Sequence, residues 1–154
     1  MFLGCGYHFV GSNPFAGNIQ SVCIHILNNR SGSTGFENQL THDLMNEFIR
    51  NSRIKLTCNE AVDADITGQI HSIHSKTSTH DASYIASERT VFVSVDLELI
   101  LSDGTILRSI HELSDHENYL VHADKMTTEV NQHKALSKLS KRMAEHLFLL
   151  LSHP

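Results

Sequence analysis

Five residues into the chain stands a cysteine in a setting suited to lipid chemistry. The run Met1-Phe2-Leu3-Gly4-Cys5 ends an apolar stretch in a small residue, and a thiol follows. This matches the tail of a bacterial lipoprotein signal, in which the thiol is acylated and the chain is cut just before it. A secretory signal carries a basic n-region and an apolar stretch of roughly 7–15 residues, whereas four residues precede Cys5 here. Residues 1–4 are then a signal remnant and Cys5 the lipidation site. Residues 5–17, rich in Gly, Ser and Asn with Pro14, make a tether, and residues 18–154 form one domain. The competing interpretation is an ordinary buried N-terminal cysteine.

With Cys5 assigned to lipid, Cys23 and Cys58 remain. Outside the cytoplasm they could join as a disulfide; two unpaired core cysteines are the alternative. Twelve histidines suggest metal binding, but their spacing does not. His71 and His74 lie three apart in a strand-like segment, which would aim them at opposite faces. His111, His116 and His122 fall in or beside expected loops. Neither His-Glu-x-x-His nor Cys-x-x-Cys occurs, so solvated histidines and no metal site are expected. Asp63 and Asp65 read as turn residues at a strand start. Cys23 and His25 are two apart on a strand, which alone makes no catalytic pair. No Gly-x-Ser-x-Gly elbow and no phosphate-cradling glycine loop is present. A non-enzymatic protein without a cofactor follows. The binding candidates are basic: Arg89 opening the central strand, Arg108 on the returning strand, and Lys125 before the last helix. Such groups hold phosphates, Arg bidentately and Lys as a point charge.

The elements that position these groups follow from periodicity. Val22, Ile24 and Ile26 share one face of a strand over Ile19–Leu27. Thr34 and Glu37 have capping-box spacing. Phe36, Leu40, Leu44 and Phe48, widened by Met45 and Ile49, then trace an amphipathic helix to Arg50. Ile54–Thr57 is a short strand and Ile66–Lys76 a longer one. Ile73 is out of phase with Ile66 and Ile70, which calls for a bulge near Ser72. Residues 77–87 form a polar loop. In Thr90–Leu101, Val91, Val93, Val95, Leu97, Leu99 and Leu101 alternate with mostly polar residues, so one face is buried and the other wet. Asp103-Gly104 makes a hairpin turn, Thr105–Leu113 returns, and an acidic loop runs to about Thr127. A last helix spans Thr128–Ser152, with Leu136, Leu139, Met143, Leu147 and Leu150 on its apolar side. This order implies an α+β two-layer sandwich. Two helices pack on one face of a mostly antiparallel sheet of four or slightly more strands.

At 154 residues, with 40% apolar and 19% charged residues, the chain can build one core. A net charge of -5 argues against nucleic acid as a partner. It leaves room for a local basic patch.

The order of short motifs along nearly the whole chain resembles the lipopolysaccharide-assembly lipoprotein family LptE. These are Cys5-Gly6-Tyr7-His8-Phe9, Val22-Cys23-Ile24-His25-Ile26, Leu27-Asn28-Asn29-Arg30-Ser31 and Gly35-Phe36-Glu37-Asn38-Gln39-Leu40-Thr41. Ala64-Asp65-Ile66-Thr67-Gly68-Gln69-Ile70, Ser87-Glu88-Arg89, Asp103-Gly104 and the stretch from Asn118-Tyr119 to Asp124-Lys125 complete the series. The resemblance implies an outer-membrane lipoprotein facing the periplasm, anchored in outer-membrane lipid through acylated Cys5. It implies a plug inside the LptD β-barrel that assists barrel assembly and binds lipopolysaccharide on its way to the outer leaflet. The family's lipidation site maps to Cys5, and one basic lipopolysaccharide-linked position matches Lys125. A second, in the loop before the central strand, has no basic match, since that loop offers His80. Two other interpretations stand beside this one: a periplasmic α+β lipoprotein acting as scaffold or activator of an envelope enzyme, and a His-rich metal binder.

Overall fold

Alternating apolar residues dictate a long twisted sheet, and two helices cover its apolar face. The computed structural model describes Phe15, residues 18–78 and residues 87–153. The elements run β1 (Ser21–Ile24), β2 (Asn28–Asn29), α1 (Phe36–Asn51), β3 (Lys55–Leu56), β4 (Ala64–Ser78), β5 (Glu88–Leu101), β6 (Ile106–Leu120) and α2 (Lys125–Ser152). The strand order is β3-β1-β4-β5-β6, with β2 also pairing with β4. The long strands β4, β5 and β6 form an antiparallel meander. The short N-terminal strands join it in parallel, as the crossover through α1 requires. The result is the expected α+β two-layer arrangement with an open sheet of six strands.

Val91, Val93, Val95, Leu97 and Leu99 are buried, and so are Ala64, Ile66 and Ile70 on β4. Against them pack Leu40, Leu44 and Phe48 of α1 and Leu139, Met143, Leu147 and Leu151 of α2. Full burial of side chains this large stabilises by roughly 1.5–3 kcal/mol each. Leu151, not Leu150, completes the α2 stripe, and Ile49 faces solvent at 65% exposure. Phe15, within the stretch assigned to the tether, is buried against Phe48 and Phe148. The domain core thus begins before residue 18. At Gly68 a Cβ would lie 2.3 Å from the Asp96 carbonyl oxygen, 2.8 Å from Leu97 Cδ1 and 3.1 Å from Leu27 Cδ2. Only glycine allows β5 and Leu27 to approach β4 this closely.

The phase slip at Ile73 has the expected cause: the ladder shifts between Ile70 and Ser72, leaving His71 as an extra residue. A matching shift on the other flank sets His111 and Glu112 opposite Asp96 alone, and Glu112 takes φ 50. One carboxylate secures both irregularities. Asp96 Oδ2 lies 2.6 Å from His71 Nε2, and Asp96 Oδ1 accepts the Glu112 amide at 2.7 Å. Burial pushes the Asp96 carboxyl up, but the bonds from Glu112, His71 and Gln69 outweigh it and hold the group below its usual range. The bulge also restores side-chain parity, so His71 and His74 both reach the open face. There His74 and His116 flank Phe92 with ring centroids 5.3 and 5.6 Å from it.

Several boundaries differ from those read in the sequence, the first strand among them, which ends at Ile24 and leaves Ile26 outside it and exposed. The returning strand runs on to Leu120, so His111 and His116 are strand residues. The last helix starts at Lys125, capped by Asp124, whose carboxylate accepts the amides of Met126 and Thr127. The Thr34–Glu37 box forms only in part. Gly35, with φ 102, takes the cap position, and the Glu37 carboxylate accepts its amide at 2.9 Å and Asn29 Nδ2 at 2.7 Å.

Candidate functional site

Register decides which basic residues can act together. Arg89 is the second residue of β5 and pairs with Tyr119 near the end of β6. The Val121 amide donates to the Ser87 carbonyl at 2.7 Å, and α2 begins four residues later. Arg89 and Lys125 therefore sit at the same end of the sheet. Arg108 does not join them. It pairs with Leu99, ten rungs along β5, or about 33 Å away at ~3.3 Å per residue. Its guanidinium donates to the Leu107 carbonyl at 3.0 Å. Cys5 and His80 lie outside the described residues.

The link that aims Lys125 is closely bonded. Asp124 accepts the Thr127 hydroxyl at 2.7 Å and amide at 3.0 Å. These bonds hold its carboxyl below the usual range. The Thr128 hydroxyl accepts the His122 amide at 2.8 Å, and Asn131 Nδ2 donates to the Leu120 carbonyl at 3.0 Å. Lys125 itself is 91% exposed, with Nζ 3.8 Å from Glu129 Oε1. That contact is too loose and too wet to neutralise it. Within five residues of it in sequence, Leu120, Met126 and Val130 are exposed large apolar residues. A cation on a fixed turn beside exposed apolar side chains suits a ligand with both an anionic head and an apolar body. The i,i+4 pair Met126 and Val130 was readable only once the helix was known to start at Lys125.

A cation held by more bonds than any of these three is Arg142, which was not among the binding candidates read in the sequence. Arg142 of α2 donates from Nε and Nη2 to Asp115 at 2.6 and 3.0 Å. It also donates from Nη1 to Glu117 at 2.8 Å and from Nη2 to the His116 carbonyl at 2.6 Å. Its pKa is raised, chiefly by the hydrogen bonds it donates to Asp115 and Glu117. It rivets α2 to the edge strand, with four of its five N–H groups engaged by Asp115, Glu117 and the His116 carbonyl. It lines, with Asp43, Lys138 and Lys141, an open groove of about 840 Å³ between the helices.

At the opposite side of the sheet the structure joins Cys23 of β1 to Cys58, just after β3, as a disulfide with Cα atoms 4.8 Å apart. His25 Nε2 sits 2.7 Å from Asp65 Oδ1 on the neighbouring strand. Among the described residues no helix is long and apolar enough to cross a membrane.

Comparison with known proteins adds to this geometry. The fold is similar to that of a lipoprotein from Caulobacter crescentus CB15, at TM-score 0.58 and 9% identity over 82% of this chain and 87% of that one. It is similar to lipoprotein B from Nitrosomonas europaea, at TM-score 0.55 and 14% identity over 93% and 90% of the two chains. Rare lipoprotein B from Shewanella oneidensis matches at TM-score 0.54 and 12% identity over 84% and 91%. At such identities these likenesses speak for the fold alone. No curated protein matches the sequence. Residues 19–151, nearly the whole described domain, match the model of the family LptE, lipopolysaccharide-assembly. The chain belongs to the LptE family of lipopolysaccharide-assembly proteins.

Proposed function

We propose that this chain is the lipoprotein partner of an LptD-type outer-membrane barrel. It plugs that barrel, assists its assembly and binds lipopolysaccharide during insertion into the outer leaflet. The observation that carries this is the family match over residues 19–151. The end of the sheet bearing Arg89 and Lys125 supports it, because exposed Leu120, Met126 and Val130 there suit an anionic glycolipid. Cys5, once acylated, anchors the chain in the outer membrane facing the periplasm, with residues 1–4 removed. The role is non-catalytic, and binding and assembly are all it requires.

The test is affinity capture of the tagged full-length chain from detergent-solubilised outer membranes, with mass spectrometry of what elutes. A large outer-membrane barrel of the LptD type at near-equal amounts is the expected result. Elution with an envelope enzyme in place of any barrel would establish the scaffold or activator role and overturn this one.

A further inference from the structure

The disulfide and the His25–Asp65 pair are adjacent, and their chemistry changes together on reduction. His25 follows the end of β1, two residues after Cys23, with its amide donating to the Ile66 carbonyl at 3.0 Å, while Cys23 pairs directly with Asp65 across the parallel ladder. Cys23 Sγ, a His25 ring nitrogen and an Asp65 carboxylate oxygen all lie within 4.8 Å of one another. Cys58 is held at the same point by its bond to Cys23, and the Thr57 amide donates to the Val22 carbonyl at 3.1 Å. In the oxidised chain neither sulfur is a thiolate and no metal set exists.

We propose that reduction of the Cys23–Cys58 disulfide creates a four-coordinate site for a zinc-like divalent cation, built by Cys23, Cys58, His25 and Asp65. The inference is independent of the lipopolysaccharide reading. A dithiol supplies the electrons. Its thiolate attacks exposed Cys58, Cys23 leaves as thiolate, and the dithiol closes to its own disulfide, leaving two thiols on this chain. Cation binding then displaces two protons from those thiols. Two sulfurs, one imidazole and one carboxylate form a ligand set that zinc accepts tetrahedrally, at bond lengths of about 2.0–2.3 Å. Such bonds set donor atoms roughly 3.3–3.8 Å apart, so the Cys23, His25 and Asp65 donors close by about an ångström while the two sulfurs, no longer bonded, move apart. A hard cation such as magnesium would not select two thiolates. Cys23 is 3% exposed, and a buried thiolate is costly unless a cation neutralises it. The site is thus a consequence of breaking the disulfide, and the bound metal would hold β1 to the segment after β3 in its place.

The test is titration of the full chain with cobalt(II) under anaerobic conditions, before and after reduction with a dithiol that is then removed. One equivalent with a thiolate-to-cobalt charge-transfer band and tetrahedral visible bands is expected for the reduced chain, and neither band for the oxidised chain. Zinc should displace the cobalt, and His25→Gln and Asp65→Asn should each weaken binding about tenfold or more. Reduced chain without the charge-transfer band overturns the proposal, as does unchanged affinity in both variants. Circular dichroism covers loss of folding on reduction: an unfolded reduced chain that zinc refolds supports the site, and one that zinc leaves unfolded refutes it.

Discussion

Replacing Gly68 by Ala should be among the most damaging single-methyl additions in this protein. The new Cβ meets the Asp96 carbonyl oxygen at 2.3 Å and Leu97 Cδ1 at 2.8 Å. Leu97 and Leu27 side chains can shift; the Asp96 carbonyl cannot, because it belongs to the central strand. Relief requires β5 to move away from β4 by nearly an ångström, along the longest ladder in the sheet and next to the bulge that Asp96 secures. Overpacking usually costs about 1–3 kcal/mol, and a backbone collision belongs at the upper end. A loss of ~3 kcal/mol corresponds to a fall in Tm of about 6–12 °C for a domain of this size. Gly104→Ala is the control. Gly104 has φ 87 but nothing within 4 Å, so alanine there costs only the left-handed backbone, about 1–2 kcal/mol. Thermal unfolding followed by circular dichroism, with urea unfolding at 25 °C, measures both. If Gly68→Ala unfolds within 2 °C of the parent, or is milder than Gly104→Ala, the close-approach argument fails.

Two further outcomes follow from the charged groups. Arg142→Ala should lower stability at pH 7 by about 1–2 kcal/mol, a value discounted because the guanidinium is half exposed. Burial pushes the Asp115 carboxyl up, but the Arg142 hydrogen bonds outweigh it and hold the group below its usual range. A depressed carboxyl stabilises above its unfolded pKa, about 3.9, and that contribution disappears as pH falls through the folded value. Urea midpoints of parent and variant should therefore converge below about pH 4; a gap that stays constant down to pH 2 would refute the clamp. Lys125→Glu should weaken lipopolysaccharide binding about tenfold or more at low salt, since each basic residue near an anionic lipid surface contributes about 1 kcal/mol. Arg108→Glu, at the far end of the sheet, should leave it unchanged. Equal losses in a binding assay with purified lipopolysaccharide would argue against the Arg89–Lys125 end.

What could be read in advance depended on how each element earns its stability. β5 was legible because its buried face is paid for in apolar side chains alone, from Val91 to Leu99. The β4 bulge was legible as a phase error at Ile73. The second half of β6 was not. Its helix-facing positions there are Asp115 and Glu117, which pack against Arg142 and not against hydrocarbon, so no alternation marks the strand. The start of α2 was hidden because Asp124 caps it with Thr127 at the third position, where a capping box would show Glu or Gln. The conjunction of Arg89 with Lys125, and of Cys23 with Asp65, depends on strand register between residues distant in sequence. Periodicity carries no information about that register. The chemistry of each residue was plain, and its company was not.

The paired irregularities around Asp96 bear on how this sheet tolerates change in length. Long antiparallel strands ordinarily forbid a one-residue insertion or deletion, because every side chain beyond it would swap faces. His71 is already the surplus residue opposite a continuous partner, and His111 with Glu112 share one partner. Deleting one residue at either place would regularise the ladder and leave the buried set from Ile73 onward, or from Leu113 onward, still facing the helices. The sheet would lose local twist and the Asp96 bonds, but not its core. These are two of the three points in the meander at which a deletion can be absorbed, the third being the shift between Leu99 and Ile100 that leaves Leu107 surplus, and related chains of different strand length should differ there first.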